Sequence, residues 1–213
     1  MRGARLFIIA LSLIFLNIDK SLAYDKRHLN QIKTLNACVK CDLSKSDLRK
    51  LNAKEASLVH ADISESNLAV GDFRSANLVK ANLRKSNLTA AKLNFANLQE
   101  ANLEKSILHH TIFKNANLKG AKLRKAALTK ANLAGANLAQ TNLTKAVLRK
   151  VNLEGANLTG SKFHKSILQD VNLSGANLTR ADFTDANIEN VWFVDALFCR
   201  TKMPWGLEAP HCK

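Results

Sequence analysis

The chain has 213 residues and carries 32 Lys and Arg against 17 Asp and Glu, a formal net charge of +15 at pH 7. So large a positive charge disfavours cationic partners and favours anionic ones: lipid head groups, cell-envelope polymers, nucleic acid or acidic proteins. Hydrophobic residues make up 46% of the chain. Beyond the first residues, however, no stretch is apolar enough to form a membrane-spanning helix, which needs about 20 such residues.

Residues Met1–Ala23 have the organisation of a secretory signal peptide. Arg2 and Arg5 supply the positive start, and Leu6–Ile18 is the apolar stretch. Ser21–Ala23 offers small residues before a cleavage point. The alternative is a membrane anchor, but the apolar stretch is short for a span. We therefore expect an exported protein, in the periplasm or outside a bacterial cell, whose mature chain keeps 29 basic and 16 acidic residues and a net charge of +13.

Residues 24–40 separate this segment from the regular part of the chain. Leu29, Ile32 and Leu35 occur at helical spacing, so a short helix is predicted here. The helix precedes a Cys-x-x-Cys pair.

From Leu43 to Phe198, every fifth residue is large and apolar. These 32 positions hold 23 Leu, 6 Phe, 2 Ile and one Ala. The residue two places before each is small with few exceptions, and the residue between them is Asn or Asp at 21 of the 32 positions. The repeating unit is well represented by Ala76-Asn77-Leu78 and the two variable residues that follow it.

A period of five fits neither of the common elements. On an α-helix, five residues rotate by about 500°, so the Leu residues would spiral around the surface instead of forming a stripe. On a flat strand, an odd period places successive Leu residues on opposite faces. A chain that turns a corner at every repeat fits, and four such sides close one coil.

A second period, four times as long as the first, supports this closure. The lysines 105, 125, 145 and 165 each begin a similar segment, and Gly-Ala-Asn-Leu recurs from Gly135, Gly155 and Gly175. Such repetition is expected if equivalent residues of successive coils stack on one face, and self-similarity at a fixed period is typical of a solenoid.

The Ala-(Asn/Asp)-Leu-x-x array resembles the pentapeptide repeat proteins over residues 41–200. The resemblance implies an all-β fold, a right-handed quadrilateral β-helix of about eight 20-residue coils, with four pentapeptides per coil. Leu, Phe and the small residues would point inward. One outward ladder of asparagines would run up the most regular face: Asn77, Asn97, Asn117, Asn137, Asn157 and Asn177. Asn suits turns because its side chain bonds nearby backbone.

A solenoid must cover its terminal coils. Residues 24–40 are therefore expected to form an N-terminal cap and residues 201–213 a C-terminal cap. Trp192 stands at an outward position near the end of the array and is expected to pack under the C-terminal cap. That cap would either block or form an end-to-end pairing of two copies, as occurs in related rods.

The four cysteines lie only at the two ends of the array, and an even count in an exported chain suggests disulfides. We pair Cys38 with Cys41 and Cys199 with Cys212, because a rod would hold the two pairs too far apart to cross. The Cys38–Cys41 segment is also open to interpretation as a redox site or as half of a zinc site. The sequences around both pairs resemble the ends of exported pentapeptide repeat proteins.

The charge is concentrated in columns. One corner of the predicted coil carries Lys85, Lys105, Lys125, Lys145 and Lys165. The adjoining face breaks the pattern at its outward Asn position with Ile107, Ala127, Val147 and Ile167. The far corner of that face carries His109, His110, Lys130, Arg149 and Lys150. The middle coils are thus expected to show an apolar stripe between two basic rails.

Two interpretations of this pattern remain open. It could be a docking face for an anionic amphiphile or an acidic partner strand, since exposed apolar patches rimmed by polar groups often mark interaction sites. It could also reflect duplication of coils, with lysine retained because it opposes aggregation on a β-surface.

The sequence predicts a protein that is not an enzyme and needs no cofactor or metal, because no glycine-rich phosphate loop or convergent acid, base and metal cluster is present. Our interpretation is an exported cationic solenoid that binds anionic envelope polymer, lipid head groups or an acidic protein. The alternative is a nucleic-acid- or topoisomerase-related role. The resemblance implies that role for acidic rods that mimic DNA, and a positive, exported chain does not fit it.

Overall fold

A computed structural model describes residues 26–208. These residues contain the helix α1 (Lys26–Leu35) and five three-residue strands. The strands are β1 (Val147–Arg149), β2 (Ile167–Gln169), β3 (Asn187–Glu189), β4 (Thr201–Met203) and β5 (Gly206–Glu208). The signal peptide predicted at Met1–Ala23 lies outside the described residues, as does Cys212.

Each repeat of the chain pairs in parallel with the repeat four places further along. In the sheet β1-β2-β3, Val147 is in register with Ile167, and Ile167 with Asn187. Elsewhere the pairing consists of isolated parallel bridges with the same offset, from Ala37 with Ser57 to Asp182 with Lys202. The fold is a right-handed β-helix, and we refer to each such return of the chain as a coil.

The chain turns at every fifth residue. Each residue from 40 to 200 whose number ends in 0 or 5 has a positive φ, between 51° and 70°. This left-handed conformation costs an ordinary L-residue about 1–2 kcal/mol, and Gly and Asn adopt it most readily. Gly occupies five of these positions, among them Gly135, Gly155 and Gly175.

Hydrogen bonds between successive coils pair the backbone groups of both the short sides and the turns. In the unit around Leu78, the Leu78 N–H donates to the Asn97 carbonyl at 2.7 Å, and the Lys80 N–H donates to the Gln99 carbonyl at 2.9 Å. The same arrangement recurs along the array. The fold is therefore held by contacts between successive coils, each of which depends on its neighbour.

The inward positions form the core, as the sequence predicts. Every residue of the five-residue period from Leu43 to Phe183 is buried, and Ile188, Phe193 and Phe198 are partly buried. Where the small position is Ser or Thr, its hydroxyl donates to a backbone carbonyl, as Ser86 Oγ does to Leu83 O at 2.6 Å. Such a bond lets a polar side chain enter the core with its donor satisfied.

The predicted asparagine ladder is present. Consecutive members from Asn77 to Asn177 are paired in register. Asn117 Nδ2 donates to Asn97 Oδ1 at 3.2 Å, and Asn137 Nδ2 donates to Asn117 Oδ1 at 3.4 Å. Each side chain also accepts from the backbone two residues on, which is the turn bonding expected of Asn.

At the N-terminal end, α1 buries Ile32 and partly buries Leu29, whereas Leu35 is 69% exposed. The Asp42 N–H donates to Nδ1 of His28 in the helix at 3.1 Å. Cys38 and Cys41 form the predicted disulfide bond. Sulfur atoms bonded in this way are not free to ligate zinc.

At the C-terminal end, β4 and β5 form an antiparallel hairpin. Thr201 and Met203 of β4 are buried against the last coil, and Cys199 is disulfide-bonded. Trp192 does not pack as expected, because 52% of it is exposed. Trp192 occupies the outward position of its repeat and is bridged to Asn172 in the preceding coil.

Candidate binding face

The predicted lysines lie at one corner of five successive coils. Lys85, Lys105, Lys125, Lys145 and Lys165 all end a turn, with φ between 55° and 60°, and all are exposed. Backbone bonds hold consecutive coils together here, such as Lys105 N to Arg124 O at 3.0 Å. The lysines therefore follow one another at about the strand spacing of 4.8 Å. We call Lys105, Lys125, Lys145 and Lys165 the lysine column.

Acidic residues stand at both ends of this corner. Lys85 Nζ lies 2.7 Å from Glu65 Oε1, and its hydrogen bond lowers the pKa of Glu65. One coil beyond Lys165, Asp185 Oδ2 lies 3.6 Å from His164 Nε2. Among residues 26–208, the lysine column forms no salt bridge. The cations of the middle coils are thus left available to a partner.

The apolar column lies on the adjoining face. Ile107, Ala127, Val147 and Ile167 are paired in that order, and β1 and β2 belong to this face. Ile107 is 41% exposed, and the other three side chains are half-buried. Asn87 precedes the column and Asn187 follows it in the same register. The apolar residues therefore occupy the same four coils as the lysine column, and we call the two columns together the basic face.

The far corner of this face has a shorter basic segment. His110, Lys130, Arg149 and Lys150 are exposed, and His109 is half-buried. The Nδ1 atom of His109 is buried, and no hydrogen-bond partner for it is found among the described residues. One coil after Lys150, the corner becomes polar and acidic with Gln169, Asp170, Glu189 and Asn190. The second basic rail thus covers only part of the lysine column.

Two further lysines belong to this surface and were not identified in the sequence analysis. Lys122 and Lys162 are exposed on the face that precedes the lysine column. Each is bridged to Asn142, so one coil separates them. Both replace the usual outward Asn, which is the signal that identified Ile107. Because they are two coils apart, with Asn142 between them, they do not form a continuous column in the sequence.

Asp182 continues the column of Lys162 toward the C-terminus. Burial acts to raise the pKa of Asp182, while the hydrogen bonds from Thr184 act to lower it. The charges of Lys202 and His164 act in the same direction as these bonds, so that the pKa is lowered. Asp182 therefore adds a negative charge beyond Lys165, on the same side as Asp185.

Between residues 26 and 208, no group of three or more His, Cys, Asp or Glu side chains is arranged to hold a metal ion. In the same range, no helix has the length and apolar character needed to cross a bilayer. The basic face thus consists of an exposed row of cations beside a row of partly exposed apolar side chains.

Two family models match the chain. One, described as a pentapeptide repeat region, matches residues 86–163 and 106–183. The other, described as pentapeptide repeats (8 copies), matches residues 38–69. Together the matched segments cover more than half of the chain. No curated protein sequence matches it.

Solved structures of similar fold include a trypsin-treated form of QnrB1, described as a plasmid-mediated fluoroquinolone resistance protein. Its TM-score is 0.67 at 17% identity, over 76% of this chain and 90% of that chain. HetL from Nostoc sp. strain PCC 7120, described as involved in heterocyst differentiation regulation, is 29% identical over 80% of this chain and 86% of its own, with a TM-score of 0.44. The likeness to QnrB1 is one of fold.

Proposed function

The chain belongs to the pentapeptide repeat family, and we propose that it is an exported, non-enzymatic binding module for anionic components of a bacterial envelope. The observation that carries this proposal is the basic face, in which four lysines stand beside four apolar side chains and form no salt bridge to any other described residue. Anionic polymer, lipid head groups and an acidic protein are the partner classes that such a surface attracts.

The energetics of the lysine column support a role in binding. Like charges in register on a sheet destabilise it, typically by a few tenths of a kcal/mol or more per pair. Glu65 and Asp185 show that carboxylates are accommodated at this corner, yet the four middle coils carry lysine at this position. A partner with negative charge would relieve the repulsion, and half-exposed apolar side chains beside it would add contact area.

Duplication of a four-repeat unit would also repeat these lysines, and lysine on an exposed β-surface opposes aggregation. Binding distinguishes the two explanations. The experiment compares two purified variants by sedimentation with isolated bacterial envelopes at low and physiological salt. In the first variant Lys105, Lys125, Lys145 and Lys165 are changed to Glu. The matched control carries Lys40→Glu, Lys50→Glu, Lys114→Glu and Lys119→Glu, which give the same net charge elsewhere on the surface.

We expect the first variant to lose envelope binding and the control to keep most of it. Equal loss in both variants would mean that only net charge matters, and unchanged binding of the first variant at low salt would remove the proposal. Double-stranded DNA serves as a parallel probe. Tighter binding to DNA than to envelopes would support the alternative nucleic-acid role.

We also infer that the chain is exported and carries two disulfides, with Cys199 bonded to Cys212. The organisation of Met1–Ala23 and the even number of cysteines support this. The test is the intact mass of the protein recovered from its own cells, with and without reductant. A mass equal to Tyr24–Lys213 less four hydrogens is expected. A full-length, fully reduced mass would place the protein in the cytosol and reopen the nucleic-acid role.

The proposed shape is a four-sided rod of about eight coils. Turns at every fifth residue and pairing at every twentieth support it. At the strand spacing, eight coils would give a length of roughly 38 Å. Small-angle X-ray scattering of the monomer measures this length directly.

A pairing of two copies through the C-terminal end is a further part of the proposal. Trp192, Val194 and Leu197 are 52%, 63% and 50% exposed near that end. Apolar side chains exposed together often mark an interface. Sedimentation equilibrium should show a dimer that the substitutions Trp192→Ser and Leu197→Asn weaken. A monomer at all concentrations would contradict it.

A further inference from the structure

We propose that copies of this protein associate head to tail, with the acidic C-terminal end of one copy docked on the basic N-terminal end of the next. The partner of the C-terminal end is therefore a second copy of the chain, bound through its other end. This inference rests on the pairing through the C-terminal end proposed above, and it names the surface that the end meets.

The C-terminal hairpin covers only one side of the last coil. On that side, the Phe183 N–H donates to the Lys202 carbonyl at 2.7 Å. Within residues 26–208, the N–H groups of Phe193 and Phe198 have no such acceptor in a following coil, and β3 is the edge strand of its sheet. The inward side chains on these sides are partly exposed, whereas those of the preceding coil are buried. An unpaired edge beside exposed apolar side chains is a surface to which another chain can add.

The charge of this end is opposite in sign to that of the whole chain. Residues 181–208 contain five acidic and two basic residues, a net charge of −3 in a chain of +15. Asp185, Glu189 and Asp195 are all exposed on the last coil. A symmetric contact between two such ends would bring these carboxylates together, and like charges repel.

The N-terminal end has the complementary charge. The helix α1 covers the first coil with Ile32 and contains three basic residues and no acidic one. Residues 26–50 contain seven basic and two acidic residues, a net charge of +5. Leu35 and Val39 are 69% and 50% exposed at this end. Positive charge and exposed apolar side chains thus occur together here.

The two ends fit each other better than either fits itself. Net charges of +5 and −3 attract, whereas two equal ends repel. Such charge complementarity fixes the orientation of a contact and disfavours the alternatives. Both ends also carry exposed apolar side chains that the contact would cover. Because the two surfaces lie at opposite ends of the array, the contact is heterologous, and further copies can add in an open row.

Analytical ultracentrifugation of the mature protein tests this assembly. The weight-average mass should rise with protein concentration beyond the mass of a dimer, because each added copy leaves both kinds of end available. The assembly should weaken at about 1 M salt, since exposed charges are then screened. A symmetric contact would stop at the dimer.

Charge reversal identifies the two surfaces. The C-end variant reverses three acidic residues of the last coil: Asp185→Lys, Glu189→Lys and Asp195→Lys. The N-end variant reverses three exposed lysines of the other end: Lys26→Glu, Lys33→Glu and Lys40→Glu. Each variant alone should associate about tenfold more weakly or less still, since one exposed ion pair contributes about twofold to fivefold.

A rescue distinguishes the head-to-tail contact from other contacts. An equimolar mixture of the two variants should recover the association, as should a single chain with all six substitutions, because opposite charges then face each other again. The recovery would also show that the substituted ends are folded. A control with the same net charge as the N-end variant carries three substitutions in the middle coils, and it should assemble as the wild type does: Lys114→Glu, Lys119→Glu and Lys122→Glu.

A dimer that the C-end variant loses and the N-end variant keeps would overturn this inference and leave the pairing through the C-terminal end in place. Equal loss in the N-end variant and its control would also overturn it, because net charge alone would then govern the association. A monomer at all concentrations would contradict both the inference and the pairing. Binding of the basic face to envelopes is measured separately and would stand or fall by its own experiment.

Discussion

The α-carbon of Gly71 lies against the ring of Phe73. A Cβ atom at position 71 would lie 2.5 Å from Cε2 of Phe73 and 3.0 Å from the Leu68 carbonyl oxygen. Phe73 is fully buried, so its ring has little room to move. One coil further, the equivalent inward pair is Ala91 and Leu93. In this coil, the absence of a side chain at position 71 is thus coupled to the place of the Phe73 ring.

This contact predicts that a smaller residue at position 73 will offset the effect of a larger residue at position 71. Gly71→Ala should lower the free energy of unfolding by about 1–3 kcal/mol, because the added methyl group overpacks the core. Phe73→Leu should cost less when position 71 carries Ala, since the double variant reproduces the arrangement of Ala91 and Leu93. Urea unfolding of the wild type, both single variants and the double variant gives the interaction energy. Additive effects within about 0.5 kcal/mol would contradict the coupling.

A second prediction concerns Val70, whose φ is +61° and which is 54% exposed. A β-branched residue is poorly suited to the left-handed conformation, whereas Asn115 adopts it in the same array with φ +57°. Val70→Asn should therefore raise the free energy of unfolding by about 1 kcal/mol. The control is Val79→Asn, at the first position of a turn. Equal gains in both variants would attribute the effect to polarity instead of backbone conformation.

A third prediction separates stability from binding in the lysine column. Lys125→Glu places a carboxylate between Lys105 and Lys145. It should stabilise the folded protein by about 0.2–1 kcal/mol at low salt, and the gain should vanish near 1 M salt. The same substitution should weaken binding to the envelope. Chemical unfolding at two salt concentrations measures the first effect.

Lys80→Glu is the matched control, because Lys80 Nζ lies 3.6 Å from Glu100 Oε2. Reversal of that charge removes an attraction and should destabilise the protein at low salt. If both substitutions change stability with the same sign, the repulsion inferred for the lysine column is absent.

The period of the sequence was sufficient to predict the core and the register. Leu78 and its equivalents had to face inward, and equivalent residues of successive coils had to pair, because no other element accommodates a period of five. The same register brought Lys105 and Lys125 to one corner. The period could not predict that Glu65 forms a salt bridge with Lys85, because that ion pair depends on the rotamers of two exposed side chains.

Trp192 shows a second limit of what the repeat period can predict. The place of Trp192 in the repeat predicts that its side chain points outward. Whether a cap covers that side chain depends on the path of a segment that does not repeat. The sequence pattern did not identify Lys122 and Lys162, because outward positions tolerate many residues and a single substitution there does not stand out. Sequence periodicity therefore predicts what points inward better than what binds at the surface.

The last prediction concerns Asp47 and Arg49, which form an exposed ion pair. Arg49 Nη2 lies 2.6 Å from Asp47 Oδ2, and Arg49 Nε donates to the same carboxylate. The side-chain hydrogen bond from Arg49, assisted by its backbone N–H, lowers the pKa of Asp47 from 3.8 to about 2. Because the pKa is depressed by folding, the pair contributes its full stabilisation above the ordinary pKa of 3.8 and loses it as the pH falls through about 2.

A carboxyl-detected NMR titration of the folded protein should place the midpoint of Asp47 near 2. Arg49→Gln should raise that midpoint toward the ordinary value, because the charged donor and its attraction are removed. Arg74→Gln, which affects the equivalent pair with Asp72, serves as the control and should leave Asp47 unchanged. A midpoint near 3.8 in both the wild type and the Arg49 variant would show that solvent competes successfully for this exposed pair.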